Sequence, residues 1–519
     1  MVRPCFLIAL LLLGCTVGPN FRTPKATLAP EWIEARDDRI SQASKDYRGW
    51  WKTFDDPVLD RLIDRAFREN LSLQSAGVRV LQARAELGIA IGQIFPQTQQ
   101  ATGSLQYNRF SEHSTFASFP GFPLGYTQDA IGPQASWELD FWGKFRRGIE
   151  SADASLLSSL ADYDSALVTL TADVVNDYIT IRTTEERIRI ARENVVNQEE
   201  TLKITESRFR HGTATQLDVE QARTSLLNTQ ATIPSLITQL RQAQDALSVL
   251  MGMPPGTLSD LLGGPSGIPV SPPQVIVGIP ADLLRRRPDV RSAELQAAAQ
   301  CARIGVAKAD LFPAFSLTGS LVFLSIDQLK SKLSDMFRWG SRSVLAGPTF
   351  TWNLFNYGQI TNNVRVQDAQ FQQLLLNYRN TVLSAQQDVE DNLAAFLQAQ
   401  DRADLLARSV ASAKKAFDLA VSQYREGLKD FTTVLTAQQA LLSQQDSLAG
   451  TLGNISTSLV GVYRALGGGW EIREGRDLVP PEVKAEMERR TNWGHLLVPS
   501  AYNLPASREP RSAPRLPDW

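Results

Sequence analysis

The sequence is poor in the residue types that build metal and redox sites. Its 519 residues include three histidines and three cysteines, and no two of them stand at the spacing of a metal-binding motif. Asp and Glu (55) nearly balance Lys and Arg (53), so the net charge of −2 offers nucleic acid no electrostatic attraction. No acid/base or nucleophilic constellation is visible either. The sequence therefore predicts a protein that is not an enzyme, holds no metal or cofactor and binds no nucleic acid.

Long apolar runs are also missing, except close to the N-terminus. No internal stretch reaches the roughly 18 apolar residues of a membrane helix. The apolar run from Phe6 to Leu13 leads into Gly14-Cys15, as in an export signal. This ending resembles the bacterial lipobox, which implies a signal peptide over residues 1–14 and a lipid such as palmitate on Cys15. By the same resemblance, Thr16, rather than Asp, directly after the cysteine implies sorting to the outer membrane of a Gram-negative bacterium. An ordinary cleaved signal with a chance cysteine is the alternative.

The chain contains an internal duplication. Three groups of residues recur at a shift of roughly 215 positions, which is hard to obtain by chance. They are Gly88-Ile89-Ala90 with Gly305-Val306-Ala307, Trp137-Glu138-Leu139 with Trp352-Asn353-Leu354, and Phe209-Arg210-His211-Gly212 with Tyr424-Arg425-Glu426-Gly427. The duplication predicts repeat 1 over residues 57–262 and repeat 2 over 281–466, joined by a Gly- and Pro-rich linker over 263–280. An N-terminal segment (15–56) and a Pro-rich, extended C-terminal tail (467–519) flank the repeats.

Each repeat has the same predicted order of elements: one helix, two strands and a helical hairpin. In repeat 1 these are helix 57–94, strands at about 98–110 and 128–141, and hairpin 144–251; in repeat 2 they are helix 281–311, strands at about 314–325 and 343–355, and hairpin 359–466. Gly212 and Gly427 interrupt the hairpins, as glycine does at a helix C-terminus. Apolar residues in the long helices recur at steps of three and four, which predicts coiled-coil packing.

The predicted strands alternate apolar and polar residues over about ten positions. This pattern is typical of membrane barrel strands and equally of a half-buried soluble sheet. Aromatic residues cluster at one strand end, as an interfacial girdle would: Trp137, Phe141, Trp142, Trp352, Phe355 and Tyr357. Four strands cannot close a membrane barrel, so strands that span a membrane require several chains to share one barrel. Three chains would supply twelve strands, which suits a duct better than eight.

Several motifs, in order along the chain, resemble one family. They are Cys15-Thr16-Val17-Gly18-Pro19-Asn20-Phe21, Trp50-Trp51-Lys52, Pro280-Ala281-Asp282-Leu283-Leu284, Arg287-Pro288-Asp289-Val290 and Ala465-Leu466-Gly467-Gly468-Gly469-Trp470. The chain resembles the bacterial outer-membrane efflux proteins (the TolC-like group), and within them the lipid-anchored NodT and OprM type. The resemblance implies a mixed α/β membrane protein: a homotrimeric, twelve-stranded outer-membrane β-barrel with four strands per chain, continued by a long α-helical coiled-coil barrel in the periplasm.

The resemblance also implies a function and partners. It implies the exit duct of a tripartite efflux system, which passes drugs or toxic small molecules out of the cell. The implied partners are two further copies of the chain, a periplasmic adaptor (membrane fusion protein), an inner-membrane efflux pump and outer-membrane lipid. Two alternatives remain open at this point: a periplasmic coiled-coil scaffold lipoprotein with a soluble sheet, and the duct of a protein-secretion system.

By resemblance, the hairpin tips around Gly212 and Gly427 form the periplasmic gate and contact the adaptor. Related proteins close the tip with an acidic ring and an apolar ring, at positions that align with Thr436 and Thr432. Neither residue is acidic or large, so Asp430 and Asp218 join them as gate candidates. The residues themselves predict helix starts, because Asp430 is a suitable N-cap and Thr215 with Asp218 forms a capping-box pattern.

Overall fold

The computed structural model describes residues 16–43, 46–115, 123–256, 258–264, 266–282, 286–327 and 333–504. The predicted signal peptide (1–14), the lipidation candidate Cys15 and the end of the tail (505–519) lie outside these residues. None of the helices in the described part of the chain is long and apolar enough to cross a lipid bilayer.

Long helices make up most of the described chain. The helices are α1 (Pro57–Glu69), α2 (Leu71–Gly92), α3 (Lys144–Arg210), α4 (Gln216–Leu250), α5 (Ser259–Leu262), α6 (Pro288–Ala309), α7 (Gln359–Arg425), α8 (Phe431–Ala465), α9 (Pro481–Arg490) and α10 (Pro499–Tyr502). Both α3 and α7 have 67 residues, which corresponds to a length of roughly 100 Å. Each forms a hairpin with the 35-residue helix that follows it, α4 or α8.

The strands form two sheets of different size. They are β1 (Ile40–Ser41), β2 (Thr98–Arg109), β3 (Gly125–Leu139), β4 (Val275–Ile276), β5 (Ala314–Asp327) and β6 (Arg342–Thr351). The larger sheet is antiparallel in the order β2-β3-β5-β6, so repeat 1 supplies one half and repeat 2 the other. Its central pairing sets Trp137 opposite Leu317 and Gln134 opposite Ser320. The outer edges of this sheet are β2 and β6.

The helices form a second layer, in which repeat 1 again supplies one half and repeat 2 the other. Helix α3 lies between α2 and α4 on one side and α6 and α8 on the other, while α7 packs against α6 and α8. One flank of the helical layer is therefore formed by α2 and α4 of repeat 1, and the opposite flank by α7 of repeat 2. The flank of α7 exposes leucines at near-heptad spacing: Leu376, Leu383, Leu405 and Leu419. Such a row is a coiled-coil seam without its partner in this chain.

A belt of non-repeated segments surrounds the middle of the helices. The N-terminal segment pairs with the linker in parallel, Ile40 opposite Val275, and the indole of Trp32 donates to the carbonyl of Gly278 at 3.0 Å. The same segment runs along α7, where the amide of Ile33 donates to Glu390 at 3.0 Å. The main hydrophobic core lies beneath this belt and includes large, fully buried side chains: Trp50, Leu59, Leu62, Tyr163, Tyr178, Phe396 and Tyr463.

The first helix of each repeat differs from the sequence expectation. The single helix expected over 57–94 is broken at Asn70, whose extended backbone ends α1 and whose side chain accepts from the amide of Leu73 at 2.8 Å to start α2. Within the helix expected over 281–311, helix α6 begins at Pro288. The residue before a proline is held out of the helical region, so Arg287 stays extended.

The tail and the last strand also differ from expectation. The tail is not simply extended, because its described part contains α9 and α10, each with a proline in its first turn, where proline costs no hydrogen bond. Strand β6 ends at Thr351, whereas the alternation extends to residue 355. Its ladder partner β5 begins at Ala314, opposite Thr351, so the hydrogen-bonded pairing ends there.

Candidate functional site

The hairpin tips lie at one end of the helical layer. Helix α3 ends at Arg210 and α7 ends at Arg425, and each is followed by a glycine with left-handed backbone: Gly212 (φ 72°) and Gly427 (φ 79°). Nothing lies close to the place that a side chain on Gly212 would occupy. Backbone conformation therefore explains both glycines as helix ends.

The acidic gate candidates cap the returning helices. Thr215 and Asp218 form a complete capping box, with the carboxylate of Asp218 accepting from the Thr215 amide at 2.8 Å. Asp430 accepts from the hydroxyl and amide of Thr433 at 2.8 and 3.1 Å. The hydrogen bonds from Thr433 lower the pKa of Asp430, so this exposed carboxylate stays ionised. Both carboxylates thus have a structural role at a helix start.

The two threonine candidates lie one turn apart on α8. Thr432 and Thr436 are exposed, and the hydroxyl of Thr436 donates to the carbonyl of Thr432 at 2.8 Å. They share one face of the helix because residues four positions apart are neighbours on it. The structure thus brings all four gate candidates to the hairpin tips.

Two contacts that the sequence did not reveal tie the tips together. The guanidinium of Arg208 lies 4.5 Å from the ring centroid of Tyr424 and hydrogen-bonds the carbonyl of the same residue. Arg425 forms an ion pair with Glu200 at 2.7 Å. Tyr424 is buried and contacts Phe431 edge-on, at 5.7 Å between ring centroids. The contacts of Arg208 with Tyr424 and of Arg425 with Glu200 join hairpin α3–α4 to hairpin α7–α8, so sequence periodicity within one hairpin could not indicate them.

The predicted girdle aromatics meet where the sheet joins the long helices. Trp137 donates to the carbonyl of Ile94 at 2.9 Å, and its counterpart Trp352 donates to that of Leu311 at 3.1 Å. Trp142 stacks on Phe312 at 4.6 Å between centroids and donates to the carbonyl of Pro313 at 2.8 Å. Phe141 contacts Phe315 edge-on at 5.1 Å. By contrast Phe355 and Tyr357 are 88% and 97% exposed.

The N-terminal segment reaches this same junction. The amide of Val17 donates to the carbonyl of Trp142 at 3.0 Å. Thr16 packs so closely on Gly143 (φ 76°) that a Cβ there would lie 3.0 Å from the Thr16 Cα. A tryptophan that bridges an apolar surface and a polar backbone is typical of a membrane–water boundary.

Carboxylates recur on α3 and α7 at equivalent places in the two repeats. Asp173 lies 3.8 Å from Arg464, and its counterpart Asp388 lies 3.1 Å from Arg287. Burial, together with the charge of Asp173, raises the pKa of Asp177 to about 6. Of these groups, Arg287, Asp388 and Arg464 line a polar cavity of about 660 Å³. In the described part of the chain, no His, Cys, Asp and Glu side chains group so as to hold a metal ion.

A comparison with models of known protein families identifies the family of this chain. The model of the family "Outer membrane efflux protein" matches residues 62–253 and 279–468, one match for each repeat. The chain belongs to the outer membrane efflux protein family. Members of this family are transport proteins of the outer membrane, so the hypothesis of a periplasmic scaffold is set aside.

Known relatives agree with this assignment over most of the chain. Nodulation protein T of Rhizobium leguminosarum bv. viciae is 31% identical over 89% of this chain and 92% of its own length. The pyoverdine export outer membrane protein OpmQ of Pseudomonas aeruginosa is 32% identical over 89% and 96%. The solved outer-membrane channel OprN is 32% identical, with a TM-score of 0.81 over 88% of this chain and all of that one. The open state of the MtrE channel of Neisseria gonorrhoeae is 26% identical, with a TM-score of 0.72 over 88% and 99%. The fold class expected from the sequence is thereby confirmed.

Proposed function

We propose that three copies of this chain form the exit duct of a tripartite efflux system. In this proposal an inner-membrane pump and a periplasmic adaptor deliver small molecules to the duct, which conducts them across the outer membrane. The observation that carries the proposal is the pair of matching open flanks, one in the sheet and one in the helical layer.

The sheet needs further copies because its edges β2 and β6 are unpaired in this chain. A bilayer supplies no hydrogen bonds to an open edge, so a spanning sheet has to close on itself. Joining β6 of one copy to β2 of the next is a head-to-tail contact, which closes into a ring. Three copies give twelve strands and an open interior, whereas two copies give eight strands, which side chains fill.

The helical layer supports the same closure. The exposed leucines of α7 lie on the flank that continues from β6, and the exposed flank of α2 and α4 continues from β2. One head-to-tail step therefore pairs both layers at once. Burying the leucine row against a neighbouring helix removes apolar surface from water, at about 25 cal/mol per Å².

Membrane attachment has a second proposed source, a lipid on Cys15. Thr16, the next residue, lies against Gly143 beside the aromatic girdle, where Trp142, Trp352 and Tyr357 would meet the lipid headgroups. A single acyl chain gives only marginal binding, so the anchor and the sheet together make attachment stable.

We propose that contacts between the two hairpins, rather than rings of acidic residues, hold the periplasmic gate closed. Arg208 with Tyr424 and Arg425 with Glu200 hold the two tips of one copy together. Asp218 and Asp430 serve as helix caps, and Thr432 and Thr436 have no bulk to close a pore. The turns at Gly212 and Gly427 remain the proposed adaptor contact, because they are the most projecting parts of the hairpins.

The proposed cargo is a small molecule. Named relatives include the pyoverdine export protein OpmQ and the toluene efflux pump protein TtgC of Pseudomonas putida. Their names indicate the export of small compounds, which favours efflux over protein secretion for this chain.

The first test is the mass of the protein extracted from membranes in mild detergent. Light scattering with the detergent subtracted should give about three times the 57.3 kDa chain, less the signal peptide. A single-chain mass, in a protein that stays soluble after detergent removal, would contradict the shared barrel.

A further inference from the structure

A second polar cavity lies on α3, in the groove between α4 and α8. Both of these helices pack against α3, and small side chains at Ala191, Ser225 and Ser235 keep about 640 Å³ open between them. The α3 residues that line the cavity run from Arg187 to Gln198. The cavity therefore lies roughly 18–35 Å from the tip end of α3, apart from the proposed gate and from the aromatic girdle.

The cavity opens on the face of α3 that lies away from the belt. Arg182 of α3 faces the linker, where it donates to the carbonyls of Leu262 and Gly264 at 2.7 and 3.0 Å. Because a helix turns by about 100° per residue, Arg187 and Gln198 lie about 140° and 160° around the axis from Arg182. In the proposed ring of three copies the belt lies outside, since it would block the duct if it lay inside. The cavity then faces the interior of the duct.

Gln198 is the polar group that the fold leaves unsatisfied in this cavity. The residue is 3% exposed, and its side-chain nitrogen Nε2 donates to the hydroxyl oxygen of Ser225 at 3.5 Å. Its side-chain oxygen Oε1 has no hydrogen-bond partner among the described residues. A buried oxygen without a partner is destabilising, and such atoms are normally paired with protein, water or ligand. Oε1 is therefore placed to accept a hydrogen bond from a molecule in the cavity.

The other polar groups of the lining favour a neutral ligand that donates hydrogen bonds. Arg187 and Asp446 neutralise each other through two hydrogen bonds, at 2.7 and 3.0 Å. The hydroxyls of Thr229 and Thr232 donate to carbonyls of their own helix, at 3.2 and 2.7 Å. A hydroxyl that donates in this way keeps its oxygen as an acceptor. The lining thus offers several acceptors without a net charge.

The rest of the lining includes an apolar surface. It is formed by Ile190 of α3, Leu236 of α4 and Leu442 of α8. A flat ring can lie on these side chains while a hydroxyl at its edge reaches the acceptors. Apolar walls with a few converging polar groups are typical of sites for small molecules.

We infer that the cavity binds neutral hydroxylated aromatic compounds on their way through the duct, with Gln198 accepting from the ligand hydroxyl. This inference rests on the proposed function and adds to it a class of cargo and a site in the duct wall. The site is a groove open on one side, so a bound molecule can leave again, as conduction requires.

Thiol labelling measures whether the cavity is occupied. Asn228 lies at its exposed rim, so a maleimide should label Asn228→Cys in the full-length protein extracted in mild detergent. The native Cys301 is buried, which raises the pKa of its thiol to about 11 and keeps it unreactive. The probe is 2-naphthol at neutral pH, where it carries no charge. We expect 2-naphthol to slow the labelling in a saturable way.

Two further variants, both made in the Asn228→Cys protein, test the site. Gln198→Leu should raise the half-protecting concentration of 2-naphthol about tenfold, because it removes the acceptor. The methyl ether 2-methoxynaphthalene, which has no O–H donor, should protect weakly and to the same extent with and without Gln198. Thr232→Phe fills the cavity from an exposed position and should abolish protection, which tests the site independently of Gln198.

The matched control is a thiol on the opposite face of the same helix. Val196 is 64% exposed and lies on the side of the linker residues Ser266 and Gly267. Labelling of Val196→Cys should proceed at the same rate with and without 2-naphthol. Equal slowing at both positions would show that the probe acts through the detergent, and it would contradict the site.

The outcomes separate the site from the duct. Protection of Asn228→Cys alone, weakened by Gln198→Leu and abolished by Thr232→Phe, supports the inference. No protection, or protection that neither variant changes, overturns the inference in a protein of trimer mass while the duct stands. A protein with the mass of one chain overturns the proposed duct, and the interior site with it.

Discussion

Arg473 joins the C-terminal tail to the long helix α3 through a buried ion pair. Its side chain is 2% exposed and binds both carboxylate oxygens of Asp164, while a further nitrogen donates to Asn503 at 2.9 Å. Burial raises the pKa of Asp164 to about 6, although the charge of Arg473 opposes this shift. The pair thus depends on both charges staying together in a site that excludes water.

Removing the cation alone should be costly. We expect Arg473→Ala to lower the free energy of unfolding by about 3–5 kcal/mol, because Asp164 is left buried without its partner. The loss should shrink from pH 8 to pH 5. Without the cation, the pKa of Asp164 in the folded variant rises above its value in the wild-type protein, so binding of a proton at pH 5 stabilises the folded variant more than the folded wild type. Thermal unfolding of the detergent-extracted protein at both pH values measures this.

The matched control is Arg476→Ala, which breaks a half-exposed pair with Asp64. Such pairs contribute about 0–1 kcal/mol. Equal losses in the two variants, or a loss in Arg473→Ala that does not depend on pH, would contradict the role of the buried pair.

Arg208 offers a residue-scale test of the gate. We expect Arg208→Ala to raise the mean conductance of the channel in planar bilayers, because it removes both the contact with the Tyr424 ring and the hydrogen bond to its carbonyl. Arg210→Ala, an exposed arginine on the same helix, should leave conductance unchanged. Asp430→Ala should also leave it unchanged, since Asp430 caps α8 without contacting the other hairpin. A rise in Asp430→Ala but not in Arg208→Ala would return the gate to the acidic residues.

At the scale of elements, helix α4 contains a local weakness at Pro234. A proline inside a helix removes one backbone hydrogen bond and crowds the carbonyl four residues earlier, at a cost of about 3 kcal/mol. Around it most side chains of α4 are exposed, and the small core of Ile188, Ala191 and Leu236 is separate from the main one. This part of hairpin α3–α4 is therefore held more loosely than its ends.

Replacing this proline should tighten the hairpin. We expect Pro234→Ala to restore the missing hydrogen bond and to slow amide hydrogen exchange from about Gln230 to Thr238. Ser235→Ala is the control, since it changes an exposed neighbour without altering the backbone bond. Unchanged exchange in Pro234→Ala would show that packing against α3, not the proline, sets the local stability.

At the scale of the whole molecule, the shared sheet and the lipid are two separate attachments to the membrane. We expect Cys15→Ala, paired with a signal peptide of ordinary type, to remain in the membrane fraction after alkaline extraction. We expect this because the twelve-stranded barrel holds the protein in the bilayer without the lipid anchor, and only detergent extracts such a barrel. The wild-type protein is the control. Release of the variant as a water-soluble protein would show that the lipid alone holds it at the membrane.

The duplication, the order of elements and the class of the protein could all be predicted from the amino-acid sequence. Periodicity is a local property, so the strands near residues 98–110 and 314–325 and both 67-residue helices could be located from it. Gly212 and Gly427 were readable as helix ends because their role is fixed by backbone conformation. Thr215 with Asp218 was readable because a capping box lies within four residues.

Contacts between residues distant in the chain could not be predicted in this way and became visible in the folded molecule. The break at Asn70 depends on the Asn70 side chain, which caps α2 and also donates a hydrogen bond to the carbonyl of Leu250. No local sequence pattern indicates this second contact. The pairs Arg208 with Tyr424 and Asp164 with Arg473 join segments more than 200 residues apart. Their energy comes from desolvation and geometry, which arise only when these distant segments pack together.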